Sequence, residues 1–183
     1  MQTALAAVDT PDPIAELVRA GRHREAIAAC ARDHGAIVGR LCMALLGSQA
    51  DADEAVQETL LRAHRAMATW RGDGTIKAWL CGIARHVCAH ALETRRRGRE
   101  ALELVPAADE ARDDFAARRQ SRAVRDALAR LRPSERDALV MHYVADLSHR
   151  EIAREHDIDE ATARKRCSRA LARLRAALPD EEL

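Results

Sequence analysis

The sequence predicts an all-α fold with two small helical domains joined by a flexible linker. Aromatic residues make up only 2% of the 183 residues, and runs of β-branched residues that favour strands are absent. Apolar residues instead recur at spacings of three and four, as on one face of a helix. Residues 98–114 are charged, contain Pro106 and show weak periodicity, which is typical of a linker.

The first predicted domain covers residues 14–97 and begins with two helices. Apolar periodicity runs from Ile14 to Cys30 and again from Ala36 to Leu46. Gly47 follows the second stretch and is a plausible helix stop. Residues 1–13 precede the first periodic stretch, and we expect them to be disordered.

A third and a fourth helix complete this domain. Asp51 or Asp53 is expected to cap a helix that runs to about Ala68. The glycines and aspartate within residues 70–75 interrupt that periodicity. A fresh periodic segment then runs from Ile76 into an arginine run that ends at Arg97.

The second predicted domain covers residues 115–178 and starts with two helices, Phe115 to Leu131 and Ser134 to Ala145. Pro133 stands at the start of the second helix, where its missing N–H costs nothing. Residues 179–183 are expected to be a tail. An acidic linker between the two domains would let them reach two sites at once.

The end of the second domain has the spacing of a helix-turn-helix motif. Ser148 and Glu151 form a capping box, so a helix should begin at Ser148. After a short turn, Asp159 is the natural N-cap of a second helix. Asp157 stands near the position where a glycine is usual, and aspartate tolerates the left-handed conformation better than most residues. The buried stripe of the second helix is predicted to hold Ala163, Cys167, Leu171, Leu174 and Leu178.

The opposite face of that helix is polar and basic. Arginine can read guanine in the major groove and lysine can neutralise phosphate, so this pattern predicts a DNA-binding helix. The helix dipole also favours phosphate near the N-terminus. A basic stripe is also common on helices that are merely solvated. The candidate DNA-binding residues are Glu160, Thr162, Arg164, Lys165, Arg166, Arg169 and Arg173 on this helix, together with Arg150 on the preceding helix.

Composition narrows the function classes. The formal net charge is only +1, so any nucleic-acid site must come from local clusters of arginine and lysine. No apolar run approaches the roughly 18 residues that a membrane span needs, so we expect a cytoplasmic protein without membrane insertion. Five cysteines form no CxxC pair and are expected to be small buried hydrophobes. No catalytic motif is present and no cofactor is expected, which argues against an enzyme.

Five stretches together resemble the signature sequences of extracytoplasmic-function sigma factors, a branch of the sigma-70 family of RNA polymerase sigma factors. Their order and separation match that family, and the resemblance extends from about residue 14 to residue 178. The stretches are 53–62 (DEAVQETLLR), 79–85 (WLCGIAR), 131–136 (LRPSER), 147–153 (LSHREIA) and 161–170 (ATARKRCSRA).

The resemblance implies partners and roles. The first domain would bind the β′ clamp helices of core RNA polymerase and the minus-10 element, and the second would read the minus-35 element with the basic face described above; the β subunit is a further expected contact. An anti-sigma factor would sequester the protein. The implied polymerase-binding residues are Asp53, Glu54, Gln57, Glu58, Leu61 and Arg65. The implied minus-10 residues are Trp70, Lys77, Arg85, His86, His90, Arg95, Arg96 and Arg97.

Two alternatives remain open. The chain could be a stand-alone helix-turn-helix regulator, although such a protein has no reason to present the Gln57 and Glu58 face. It could also be a sigma factor that senses metal or redox state, because His86 and His90 lie four residues apart and cysteines lie nearby. Two histidines make an incomplete metal shell. His86 stands where the family commonly has asparagine, so the exact minus-10 preference stays open.

Overall fold

The computed structural model describes residues 12–101 and 123–178, with the side chains of 99–101 left out. Within these two ranges the chain forms helices and turns and no strand. The predicted all-α class is therefore confirmed. The sequence predicts that residues 1–13 are disordered, that residues 98–114 form a linker and that residues 179–183 form a tail. These segments lie largely or wholly outside the described residues.

The two described ranges form two helical units. The N-terminal unit contains α1 (Pro13–Arg19), α2 (His23–Leu46), α3 (Gln49–Ala66), a 3-10 turn (Met67–Thr69) and α4 (Ile76–Ala101). The C-terminal unit contains α5 (residues 123–129), α6 (Pro133–Tyr143), α7 (His149–Glu155) and α8 (Glu160–Ala177). In the first unit α2 packs along α3 and α4, and in the second α8 packs on α6 and α7.

The first helix break is not where the sequence pattern suggested. The chain turns at Gly21, whose φ of +71° is in the left-handed region that favours glycine. The helix α2 then continues through Gly35 without interruption. A helical glycine costs about 1 kcal/mol relative to alanine, and burial of Val38 and Leu41 on the same helix offsets that cost. The expectation of separate helices at Ile14–Cys30 and Ala36–Leu46 is wrong.

The cap of α3 also differs from the prediction. Ser48, rather than Asp51 or Asp53, is the N-cap, because Gly47 ends α2 in the left-handed conformation and Ser48 is extended. The Ser48 hydroxyl accepts a long hydrogen bond of 3.5 Å from the Asp51 amide. In the C-terminal unit Pro133 occupies the first turn of α6, as predicted.

The apolar core is continuous across the two units. Buried side chains of α2, among them Leu41, belong to one cluster with buried side chains of α6, among them Val140. The helix α2 contacts α6, and α4 contacts α7. All five cysteines are buried and free, which confirms that they serve as small core residues. The two units therefore form one packed body in this structure.

Candidate functional site

The helix-turn-helix forms as the sequence predicts. The Ser148 amide donates to Oε2 of Glu151 at 2.9 Å, and the Glu151 amide donates to the Ser148 hydroxyl at 3.2 Å, so the capping box is complete. Asp157 takes a φ of +51° and turns the chain between α7 and α8. Leu147 and Ile152 are buried beneath the turn. The corner is thus held by local hydrogen bonds and by the core of the C-terminal unit.

Asp159 caps α8 and also controls its first turn. Its carboxylate accepts from the Thr162 amide at 2.8 Å and from the Thr162 hydroxyl at 2.6 Å. These hydrogen bonds hold the pKa of Asp159 below its ordinary value. The first amides of α8 therefore already face a carboxylate, so a phosphate at this end has to compete with Asp159.

The exposed face of α8 carries most of the predicted cations. Lys165, Arg169 and Arg173 are exposed, whereas Arg166 is half-buried. Ala163, Cys167 and Ala170 are buried on the opposite face. Leu171, Leu174 and Leu178 are only partly buried, so the small residues, rather than the leucines, form the tightest contact.

Two of these arginines have acidic partners. Arg164 donates to Glu160 at 2.8 Å within the helix, and Arg173 donates to Glu135 of α6 at 2.5 Å. Glu135 is 6% exposed, so this second pair ties α8 to α6. Exposed pairs such as the first contribute little to stability and exchange readily. Arg150 and Glu160 are exposed near the start of the two helices.

The predicted polymerase-binding residues lie on one face of α3. Asp53, Glu54, Gln57 and Arg65 are exposed, and Glu58 is half-buried and accepts from Arg62 at 2.6 Å. Leu61 is 52% exposed, and a large apolar side chain among polar residues is typical of a binding face.

A groove of about 570 Å³ runs beside Leu61 between α2 and α3. Its lining combines Gln57, Leu60, Leu61 and His64 of α3 with Arg24 and Ile27 of α2. Arg24 and Ile27 have no local signal in the sequence, because only the packing of α2 on α3 brings them to this face. The surface is a shallow apolar groove with a polar rim, as helix-binding grooves are.

The loop between α3 and α4 and the first turns of α4 face the C-terminal unit. Trp70 is half-buried in this loop, where Gly72 has a φ of +79°. Lys77 donates to the backbone carbonyl of Asp146 at 2.8 Å. Trp79 is half-buried against the core.

Arg85 is one of the enclosed members of the predicted cations. Its side chain is 14% exposed and lies 3.6 Å from the Asp137 carboxylate of α6. It also donates to the backbone carbonyl of Glu155 at 3.3 Å. In this conformation the guanidinium is therefore directed at the C-terminal unit.

The remaining predicted cations lie farther along α4 and are more accessible. Arg96 and Arg97 both pair with Glu93, and Arg95 pairs with Asp51 of α3. His86 and His90 are exposed, and burial together with Arg85 lowers the pKa of His86. This stretch of α4 is thus a mixed surface in which Glu93 offsets part of the positive charge.

The structure gives no support to a metal centre at His86 and His90. Across residues 12–101 and 123–178, no three histidine, cysteine or acidic side chains come together in a way that could hold a metal ion. Cys81 is buried, and burial raises the pKa of its thiol to about 12. Among the helices of the described ranges, none is long and apolar enough to span a membrane.

Comparisons with known families and proteins agree with one another. Residues 30–98 match the family described as "Sigma-70 region 2", and residues 121–174 match "Sigma-70, region 4". The ECF RNA polymerase sigma factor SigM of Mycobacterium tuberculosis is 32% identical over 145 residues, which cover 78% of this chain and 72% of SigM. SigE of Mycolicibacterium smegmatis is 32% identical over 152 residues, covering 79% of this chain and 58% of SigE.

Solved structures show a similar fold. CnrH, in its complex with the cytosolic domain of CnrY, superposes with a TM-score of 0.67 and 23% identity and covers 89% of this chain and 93% of CnrH. The sigma factor RpoE of Bartonella quintana, in complex with the anti-sigma factor NepR, superposes with a TM-score of 0.57 and 23% identity, covering 76% of this chain and 88% of RpoE.

Proposed function

The chain belongs to the ECF RNA polymerase sigma factors of the sigma-70 family, and from that membership we propose how its surfaces divide the work of promoter recognition. Members of this family are transcription initiation factors that act without catalysing a reaction. One observation carries the proposal: a basic helix-turn-helix face and an apolar docking groove occur on separate units of one chain, in the order of regions 2 and 4. A stand-alone regulator has no use for the second surface.

We propose that α3 docks the chain on the β′ clamp helices. The docking face consists of Leu61 at the centre and the polar residues Asp53, Glu54, Gln57, Glu58 and Arg65 around it. The groove beside Leu61, with a volume of about 570 Å³, would take side chains of a partner helix. Arg24 and Ile27 on α2 would form its second wall.

We propose that the minus-35 element is read by α8. Lys165 and Arg169 are exposed on the face opposite the buried Ala163 and Cys167, as a helix in the major groove requires. Arg150, Arg164, Arg166 and Arg173 would contact phosphates on either side, with Glu160 and Thr162 at the helix start. Base contacts would give specificity, and phosphate contacts would fix the register.

We propose that the minus-10 element is bound as a single strand by α4 and the preceding loop. Trp70 offers an aromatic surface for a base. Cations for the strand backbone come from Lys77, Arg85, Arg95, Arg96 and Arg97, with His86 and His90 on the same helix. We assign polymerase docking and minus-10 binding to residues 14–97 and minus-35 recognition to residues 115–178. Residues 98–114 would connect the two domains.

We also propose an anti-sigma partner and a cytoplasmic location. RpoE of Bartonella quintana is described in complex with an anti-sigma factor, and the Leu61 groove is a surface that a helix of such a partner would fill. RNA polymerase acts in the cytoplasm, so a factor that binds it must be there. No cofactor is needed for these binding steps.

In vitro transcription tests the proposal. Purified bacterial core polymerase is mixed with fragmented genomic DNA of the source organism, with and without the protein, and RNA 5′ ends are mapped. We expect discrete new starts that share an upstream motif. Absence of new starts, together with failure to bind core polymerase, would indicate that the protein is a stand-alone DNA-binding regulator.

A further inference from the structure

The first turn of α8 contains the hydrogen bonds that decide what Thr162 can offer to DNA. Thr162 is half-buried and shares one face of the helix with Lys165 and Arg169, because residues three and seven positions apart lie on the same side. Its backbone amide donates to Oδ1 of Asp159 at 2.8 Å, and its hydroxyl donates to Oδ2 of the same carboxylate at 2.6 Å. Both oxygens of the capping carboxylate therefore accept from one residue.

The hydroxyl proton of Thr162 is committed to Asp159. An ionised carboxylate can only accept, and these hydrogen bonds hold the pKa of Asp159 below its ordinary value, so the carboxylate is ionised at neutral pH. A distance of 2.6 Å between the two oxygens is typical of a charge-assisted hydrogen bond, which is stronger than a neutral one. Thr162 therefore has only its methyl group and the lone pairs of its oxygen left for a ligand.

This commitment changes how a threonine can read DNA. A free hydroxyl both donates and accepts, so it does not discriminate between bases. In the major groove guanine presents the acceptors O6 and N7 and thymine presents O4, whereas adenine and cytosine each present an exocyclic amino group. An oxygen whose proton is bound to Asp159 can accept from those amino groups and has nothing to donate to the acceptors. The hydrogen bond to Asp159 thus makes the Thr162 hydroxyl selective.

The charges around Thr162 act in the same direction. The exposed Asp159 carboxylate repels the acceptor edge of a guanine or thymine that approaches the hydroxyl. Glu160, also exposed in this turn, accepts from Arg164 at 2.8 Å. Lys165, which can only donate, lies three residues farther along the same face, about 4.5 Å at the rise of a helix. The face of α8 therefore changes from acceptor to donor within little more than one base-pair step of about 3.4 Å.

We propose that Asp159 is a positioning residue for promoter specificity: by holding the Thr162 hydroxyl, it makes α8 require an adenine or cytosine amino group at the base that Thr162 faces. The inference rests on the proposed reading of the minus-35 element by α8. Guanine and thymine are rejected at that base because Thr162 has no proton to give them. Lys165 and Arg169 keep their ordinary choice of guanine at neighbouring pairs. Asp159 needs no contact of its own with the base.

Three substitutions separate the hydrogen bond from the side chains that form it. Thr162→Ser keeps the hydroxyl and its bond to Asp159, whereas Thr162→Val keeps the shape of the side chain and loses the hydroxyl. Asp159→Asn keeps a good helix cap, but its side-chain NH₂ can donate to the Thr162 oxygen and so release the hydroxyl proton.

Asp157→Asn is the matched control for the change of charge. Asp157 is exposed in the turn before α8 and has a φ of +51°, a conformation that asparagine also tolerates. The substitution removes the same charge two residues away from the cap. It leaves the hydrogen bonds between Asp159 and Thr162 in place.

Selection from a library of duplexes with a random central segment measures the base preference. The purified chain is incubated with the library, once with core polymerase and once without it at low ionic strength, and the retained DNA is sequenced. The position that Thr162→Val alters identifies the base that Thr162 faces. There the unchanged protein, Thr162→Ser and Asp157→Asn should prefer adenine or cytosine on one strand by roughly five- to tenfold. Thr162→Val should lose this preference, and Asp159→Asn should accept guanine or thymine about as well.

The outcomes separate this proposal from the sigma function. An unchanged preference in folded Thr162→Val and Asp159→Asn proteins, with folding checked by thermal unfolding, would overturn the role of Asp159. An equal change in Asp157→Asn would assign the effect to net charge and refute it as well. If core polymerase adds nothing to retention while the chain alone still shows the shift, the sigma function fails and the role of Asp159 stands. If neither selection enriches any sequence, α8 does not read DNA and both fail.

Discussion

The helices α8 and α4 both present basic residues, but the fold treats them differently. On α8, Lys165 and Arg169 face away from the rest of the molecule. On α4, Arg85 is 14% exposed and directed at Asp137, and Lys77 donates to the Asp146 backbone. The same residue types are therefore ready for a ligand in one unit and already engaged in the other.

This difference follows from what each helix packs against. The helix α8 is the last helix of its unit, and only its small-residue stripe is buried, at Ala163, Cys167 and Ala170. The start of α4 lies between the N-terminal core and α7. A basic pattern in a sequence thus identifies a potential site, whereas its availability depends on tertiary contacts.

We expect the largest loss of function from a substitution in the groove beside Leu61, which is formed by α2 and α3 and not by the basic helices α4 and α8. We expect Leu61→Arg to weaken binding to core polymerase by about 100-fold, because it places a charge at the centre of an apolar contact. Affinity is measured by fluorescence titration of core polymerase. Ala36→Glu, at an exposed position of α2 outside the groove lining, should bind as the unchanged protein does. Similar affinity for the two variants would remove α3 from the docking surface.

The next effect concerns the available basic face. Arg169→Glu should reduce minus-35-dependent transcription by about 10- to 100-fold, because a cation facing DNA becomes an anion. Binding to core polymerase should not change. Arg32→Glu, an equal charge reversal at an exposed position of α2, is the control and should transcribe nearly normally. Equal losses in both variants would mean that net charge, rather than the α8 face, determines promoter binding.

The pH dependence of stability tests the burial of His156 in the C-terminal unit, whose α8 face is exposed. Burial, followed by Arg85, lowers the pKa of His156 from 6.5 to about 4. Between pH 4 and pH 6.5 the unfolded chain therefore binds a proton at His156 that the folded protein does not bind. Lowering the pH from 7 to 5 should reduce the free energy of unfolding by on the order of 1 kcal/mol, allowing for partial solvent screening.

Urea unfolding at the two pH values measures this loss, with His156→Gln as the control. Asp137 and Glu155 act in the opposite direction, because burial raises the pKa of both carboxyls. They are present in both proteins, so the difference between the proteins isolates His156. An equal pH dependence in the two proteins would show that the imidazole is not the responsible group.

The smallest effect compares the helix caps of the two units. Ser148→Ala removes a complete capping box and should cost about 1 kcal/mol of stability. Ser48→Ala removes one hydrogen bond of 3.5 Å and should cost well under half of that, because the bond is long. Thermal unfolding of both variants checks the order. A larger loss for Ser48→Ala would contradict the described cap geometry.

Local signals in the sequence were enough for the helix-turn-helix. Ser148, Asp157 and Asp159 act through neighbours within three residues, so their roles follow from spacing alone. The break before α2 was placed wrongly, because Gly21 and Gly35 look alike in sequence. Only the packed structure shows that the first has a positive φ and the second lies inside a helix.

The candidate site was predictable where one helix face forms it. The basic face of α8 and the exposed Leu61 follow from helical periodicity. Arg24 and Ile27, which complete the groove, lie on a different helix and have no local signal. The enclosure of Arg85 depends on Asp137, which is 52 residues away in the chain, and on α7. Such contacts between the units are a property of the fold that no short motif records.

Amine labelling of the two lysines tests the contrast between the basic helices most directly. The chain contains one lysine in each unit, Lys77 and Lys165. The protein is treated briefly with an acylating reagent, alone and bound to core polymerase, and both positions are quantified by peptide mass spectrometry. In the free protein Lys165 should react several-fold faster than Lys77, because the Lys77 ammonium donates to the Asp146 carbonyl. Lys77 should gain reactivity if binding of core polymerase separates the two units. Equal reactivity of the two lysines in the free protein would contradict the conclusion that the basic residues of α8 are accessible while those at the start of α4 are engaged.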